Sequence, residues 1–111
     1  MNWNKLENIN QLALIDEESK DKKILLFKHS TRCSISSMAL DRLERNWKEE
    51  DYSKIKCCYI EVLQHRGISD EIAFRYKVIH ESPQVLLIEN SKCIYHKSQS
   101  EINYSEIIKL V

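Results

Sequence analysis

The four residues Ile24-Leu25-Leu26-Phe27 are apolar on both alternations, and this constrains the chain more than any other feature. Successive strand side chains point to opposite sides of a sheet. A strand that is apolar in both directions has to be covered on both faces, as happens where helices pack above and below a sheet. The stretch from Ile55 to Leu63 has the same character. Between the two, Ile35, Met38, Ala39, Leu43 and Trp47 recur at helical spacing, with Leu40 widening the stripe and Asp41, Arg42, Glu44, Arg45 and Lys48 opposite. Strand, helix and strand make a βαβ unit. Its crossover sets the two strands parallel and places the start of the helix at the carboxyl edge of the sheet, where open α/β sheets bind ligands.

The residues at that edge are His29-Ser30-Thr31-Arg32-Cys33-Ser34-Ile35-Ser36, with Cys33 at the point where strand becomes helix. The first turn of a helix carries unpaired N–H groups and the positive end of the macrodipole, both of which favour an anion. A cation beside the thiol, here Arg32, acts in the same direction. Cys33 is therefore expected to be the nucleophile of the chain. Backbone N–H groups of Ser34 to Ser36 should surround its sulfur. The Ser36 hydroxyl either donates a hydrogen bond to the sulfur or only caps the helix.

The rest of the pattern completes one layered architecture. Trp3 to Leu6 reads as a short strand or a lead-in, and Asn8 to Ser19 as a helix with Ile9, Leu12, Ala13 and Ile15 on its apolar side. Gln64 to Gly67 reads as a loop. Ser69 is a good N-cap for a helix that has Ile72, Ala73 and Tyr76 on its apolar side and ends near Lys77. Val85 to Ile88 and Cys93 to Tyr95 form a hairpin about Asn90-Ser91, and Asn103 to Glu106 has capping-box character before Ile107, Ile108 and Val111. The order is βαβαββα. It predicts an α/β fold with a central mixed sheet of four to five strands flanked by helices, as one domain over residues 1–111.

Charge and cysteine usage narrow the function. Seventeen basic and seventeen acidic residues cancel, without a long block of one sign, so neither nucleic acid nor an anionic membrane is an expected partner. Apolar runs are too short to span a bilayer and Met1 to Lys5 lacks the core of a secretory signal, so a cytoplasmic location is expected. None of the four cysteines stands in the C-x-x-C spacing of a zinc knuckle or a dithiol site, and no metal is expected. Cys57 and Cys58 are adjacent in a strand and should face opposite sides of the sheet. With Cys93 they read as small buried apolar residues.

A lone cysteine after the first strong strand and a lone proline opening the hairpin resemble the thioredoxin fold. More specifically, Lys28-His29-Ser30-Thr31-Arg32-Cys33-Ser34-Ile35-Ser36 and His80-Glu81-Ser82-Pro83-Gln84-Val85 resemble the two signatures of the YtxJ family of monothiol bacilliredoxins. The usual run in that family is Thr-Cys-Pro-Ile-Ser; here Arg32 stands in the threonine place and Ser34 in the proline place. The resemblance implies that Pro83 is cis and lies beside Cys33. Sequence alone would favour an ordinary trans turn there. It further implies bacillithiol as co-substrate and bacillithiolated proteins as clients.

Cys33 and Ser36 are thus candidates for catalysis, and Arg32, Ser34, Ser82 and Pro83 for binding the substrate. Because Ser36 is not a thiol, a mixed disulfide on Cys33 should persist until a thiol from solution, from another protein, or from Cys57, Cys58 or Cys93 resolves it. His29 and His80 either tune the site or are structural. Lys28, Arg32 and Arg66 either meet anionic groups of a thiol cofactor or are solvated. The leading expectation is a monothiol oxidoreductase that removes bacillithiol from oxidised client cysteines. The alternatives are a non-catalytic binding module on the same fold, a dithiol enzyme with a distant resolving cysteine, and an arsenate reductase, which would need a basic oxyanion site beyond Arg32.

Overall fold

The computed structural model describes residues 1–111 and contains one five-stranded sheet. Its elements in chain order are β1 (Asn4–Lys5), α1 (Gln11–Glu18), β2 (Lys23–His29), α2 (Ser34–Asn46), β3 (Ile55–Glu61), α3 (Arg66–Tyr76), β4 (Gln84–Glu89), β5 (Lys92–Ser98) and α4 (Tyr104–Ile108). The strand order β1-β3-β2-β4-β5 places β2 in the middle, as its doubly apolar sequence requires. β2 runs parallel to β3 with Leu25 opposite Cys57, and antiparallel to β4 with Leu26 opposite Leu86.

Helices cover both faces. Ile24, Leu26, Cys58 and Ile60 point toward Leu12 and Ile15 of α1 and Ile68, Ile72 and Tyr76 of α3. Leu25, Phe27, Ile55 and Cys57 point toward Ala39 and Leu43 of α2 and Ile107 of α4. All four apolar residues of β2 are fully buried, and each such side chain contributes about 1.5–3 kcal/mol of transfer free energy. The β4–β5 hairpin turns through Asn90 and Ser91, both at positive φ, the backbone a tight two-residue turn requires. Buried Ser19 holds that turn, its carbonyl accepting from Asn90 N–H at 3.0 Å and its hydroxyl oxygen from Ser91 N–H at 2.8 Å.

Three local expectations need correction. On α2, Ile35 and Met38 are 50% and 65% exposed and are not core. The inward position of the first turn goes to Ser36, because this turn lies at the polar carboxyl edge of the sheet. In α1 only Leu12 and Ile15 are buried, and the helix begins at Gln11, after a turn in which the Gln11 side chain accepts from Glu7 and Asn8 N–H. Third, α3 starts at Arg66, so Ser69 lies inside the helix and caps nothing. Gly67 misleads here: it occupies the exposed first turn, where an added Cβ would meet only open space and the low helix propensity of glycine matters least.

Candidate active site

Cys33 is the N-cap of α2, with extended backbone at φ −110° and ψ 117°. The Cys33 thiol makes no hydrogen bond to the free N–H groups of the following turn, so the expected set of Ser34 to Ser36 donors is not closed on the sulfur. The turn that delivers it is held at several points. Cys33 N–H donates to Ser30 carbonyl oxygen at 3.1 Å, and Cys33 carbonyl oxygen accepts from Ser37 N–H at 3.1 Å. Ser36 Oγ accepts from Ser30 N–H at 3.0 Å and lies 2.7 Å from His29 Nδ1. Burial pushes His29 below the usual histidine range, against the pull of Glu61 and Glu44. The neutral ring and the Ser36 hydroxyl share one hydrogen bond through Nδ1.

The Ser36 hydroxyl is therefore engaged away from Cys33. It makes no hydrogen bond to the sulfur, and it does not cap α2 either, since Cys33 holds the N-cap. Ser36 is fully buried and pins the loop that carries the thiol.

A second clamp comes from Glu61 at the end of β3, a residue that nothing in the sequence pattern singles out. Its carboxylate accepts from Thr31 N–H at 2.9 Å, Thr31 Oγ1 at 3.2 Å and Gln64 N–H at 2.9 Å. Burial works to raise this carboxyl, but the donors of Thr31, Gln64 and Leu63 outweigh it and hold the group below the usual carboxylate range.

Beside Cys33 opens a cleft of about 310 Å³ lined by Ser30, Val62, Leu63, Arg66, Ser69, Asp70, His80 and Ser82. The Ser82-Pro83 bond is cis, as the resemblance implies. Ser82 lines the cleft, whereas Pro83 is buried and does not. Arg32 and Ser34 are exposed and do not line it.

Two residues of the cleft wall, Ser69 and His80, contact an unusual buried cation. Lys28 has no exposed surface, and its Nζ donates to Ser69 carbonyl oxygen at 3.2 Å and to His80 Nδ1 at 3.1 Å. Burial pushes the Lys28 ammonium down to about 8, with Asp70 opposing. The Ser69 hydroxyl lies 3.2 Å from the same His80 nitrogen. An ammonium can only donate, so Nδ1 accepts from Lys28 and His80 carries its proton on Nε2. Burial and the neighbouring Lys28 both lower its pKa, which keeps the ring neutral.

The other thiols lie in different surroundings. Cys57 and Cys58 are buried on opposite faces of β3, as their adjacency predicts. Burial pushes them up to about 12 and about 11, respectively. Cys93 lies on β5, partly buried and raised by burial, with its thiol donating to Tyr95 carbonyl oxygen at 3.2 Å.

A central β2, a cysteine capping the next helix and a cis proline opening the edge hairpin define a thioredoxin-fold thiol oxidoreductase. Among solved structures, the chain resembles one described as an oxidoreductase with a thioredoxin fold, at 33% identity and TM-score 0.83, over 96% of this chain and 91% of that one. It also resembles the thioredoxin of Fasciola hepatica, at 17% identity and TM-score 0.69 over 96% and 93% of the two chains. Malassezia sympodialis thioredoxin matches at 15% identity and TM-score 0.74, over 96% and 84%. Residues 4–107 match the family model described as monothiol bacilliredoxin BrxC, and the chain belongs to that family.

Proposed function

We propose that the protein removes bacillithiol from mixed disulfides on client proteins, with Cys33 as the nucleophile. The observation that carries this reading is that Cys33 alone among the four cysteines both caps a helix and borders an open cleft. The Cys33 thiolate attacks the cap sulfur in line with the disulfide. A new bond forms between Cys33 and the cap, the client–cap bond breaks, and the client sulfur leaves as a thiolate that takes a proton from solvent. Disulfide is exchanged for disulfide, so no outside oxidant is required. A second thiol, from solution or from a reductase, then attacks the capped Cys33 and restores it.

The buried, raised thiols of Cys57 and Cys58 are poor resolving groups, and Cys93 lies on β5, two strands from β2. This favours the monothiol route over a dithiol one. The unpaired cysteines suit a reducing, cytoplasmic setting. The test is intact mass after mixing the protein with a bacillithiolated client. The cap should move onto Cys33 and stay until another thiol is added. Transfer that survives Cys33→Ala, or an internal disulfide that needs Cys57, Cys58 or Cys93, would sink the proposal.

A further inference from the structure

The cleft beside Cys33 has a charge distribution that the exchange chemistry itself does not require. Arg66 and Asp70 stand one turn apart on α3 and both line the cleft, yet they form no ion pair with each other, and the Arg66 guanidinium makes no hydrogen bond within the protein. Asp70 is exposed and acts on the buried Lys28 ammonium only at a distance, without an ion pair between them. The Arg66 guanidinium is exposed at the start of α3 and free to meet a ligand. His80 adds a neutral donor: its Nδ1 is occupied by Lys28 and Ser69, which leaves Nε2–H as its free group on an exposed ring that borders the same space. Ser82 also lines the cleft, and its hydroxyl oxygen is buried without a hydrogen-bond partner. A guanidinium, an imidazole N–H and an unsatisfied hydroxyl on one polar cleft describe a receptor for an oxyanion.

We infer that this cleft is the subsite for the non-thiol part of the cap, and that Arg66 with His80 Nε2–H selects small thiols bearing a carboxylate. The inference rests on the proposed function and extends it from a reaction to a basis for choosing the thiol. Arg66 suits the role because a guanidinium presents paired donors matched to a carboxylate. Its location on the rigid first turn of α3 fixes the distance from the sulfur at which the carboxylate must lie. Lys28 has an indirect, positioning part: it holds the His80 tautomer. Of the three cations near the thiol in sequence or space, Arg66 meets the cap, Lys28 orders the wall and Arg32 stays in solvent.

The test uses the full chain and one client peptide capped either with bacillithiol, which has free carboxylates, or with its carboxylate methyl ester. The rate of cap transfer to Cys33 is read by intact mass. Wild-type protein should prefer the acid over the ester by about tenfold, the scale of one charge-assisted hydrogen bond. That ratio should collapse toward one in Arg66→Ala, partly return in Arg66→Lys and survive in Arg32→Ala. Added salt should erode the wild-type ratio. As an independent readout, S-methyl bacillithiol should shield Cys33 from alkylation in wild type and fail to do so in Arg66→Ala. If wild type transfers both caps at one rate, or if Arg66→Ala keeps the ratio and the shielding, the subsite is wrong while the exchange reaction stands. If wild type transfers neither cap, the proposed function falls and takes the subsite with it.

Discussion

The interior of β2 and its carboxyl end are both buried but are stabilised in opposite ways. Leu26 and Lys28 both have no exposed surface, two residues apart on the same face of the same strand. Leu26 is stable there through apolar transfer alone. Lys28 and His29 end the strand and Ser30 follows it, and each of these polar groups remains buried only because a partner waits for it: Ser69 and His80 for Lys28, Ser36 for His29 and Ser30. The thiols divide in the same way. Cys57 pairs in register with Leu25 in the interior, whereas Cys33 follows the polar end. A thioredoxin-fold oxidoreductase thus keeps its potential for chemistry where the sheet stops being hydrophobic, and that region is held by a few hydrogen bonds.

The largest expected effect is in thiol reactivity. At pH 7 the native protein should alkylate at Cys33 first. Cys57 and Cys58 should lag by at least ~10³-fold, since a buried thiol of raised pKa reacts only when the sheet opens. Peptide mapping after timed iodoacetamide treatment measures the ratio, and denaturant should abolish it. Comparable labelling of Cys57 in the native state would erase the contrast between the two regions.

Lys28 should give the next largest effect, with a definite sign. Its folded pKa of about 8 lies below the unfolded 10.5, so between these values the unfolded chain binds more protons and stability rises with pH. The full span is about 3 kcal/mol. Above pH 9 the opposite trend of Cys57 and Cys58, whose folded pKa values are raised, begins to mask it. Urea titrations of wild type and Lys28→Met from pH 7.5 to 9 isolate the contribution. The wild type should gain on the variant as pH rises through this window, and a flat difference would mean that Lys28 is not held as a desolvated cation.

Ser36→Ala should cost about 1–3 kcal/mol by leaving the Ser30 N–H and His29 Nδ1 unpartnered, and the loosened loop should slow cap transfer through Cys33. The catalytic and structural roles of Ser36 separate here. If the hydroxyl acted on the sulfur directly, the pH profile of Cys33 alkylation would shift while the unfolding midpoint stayed in place.

How much of this was legible in the sequence follows the same division between the two regions. The position of β2, the packing of β3 and the opposite facing of Cys57 and Cys58 could all be read, because apolar periodicity reports burial on a sheet directly. Cys33 could be placed because a strand-to-helix junction has its own chemistry. The polar end was far less legible. Ile35 and Met38 match the helical stripe but are exposed, and Ser36 looks like a partner for the sulfur but bonds to His29 and Ser30. Lys28 reads as a surface cation because its partners Ser69 and His80 are 41 and 52 residues away. Periodicity records which side chains avoid water. It carries no record of which distant polar groups will meet.

Glu61 gives the smallest effect and the finest test, because it joins the two regions: it ends β3, the strand of the inert thiols, and clamps Thr31 of the reactive loop. Glu61→Gln keeps the size and one acceptor but loses the charge, and it should destabilise the fold by at most about 1 kcal/mol, since the group lies near the surface where charge is screened. A depressed carboxylate contributes stability above its unfolded pKa and loses it as pH falls through the folded one. The difference between wild type and Glu61→Gln should therefore be present at pH 7 and disappear on acidification below the ordinary carboxylate range. Hydrogen exchange offers a local reading, because Thr31 and Gln64 N–H should lose protection in the variant while Leu25 and Cys57 N–H keep theirs. If protection at Leu25 fell together with that at Thr31, the carboxyl end and the interior of the sheet would open as one unit, and the separation between them would be a matter of composition only.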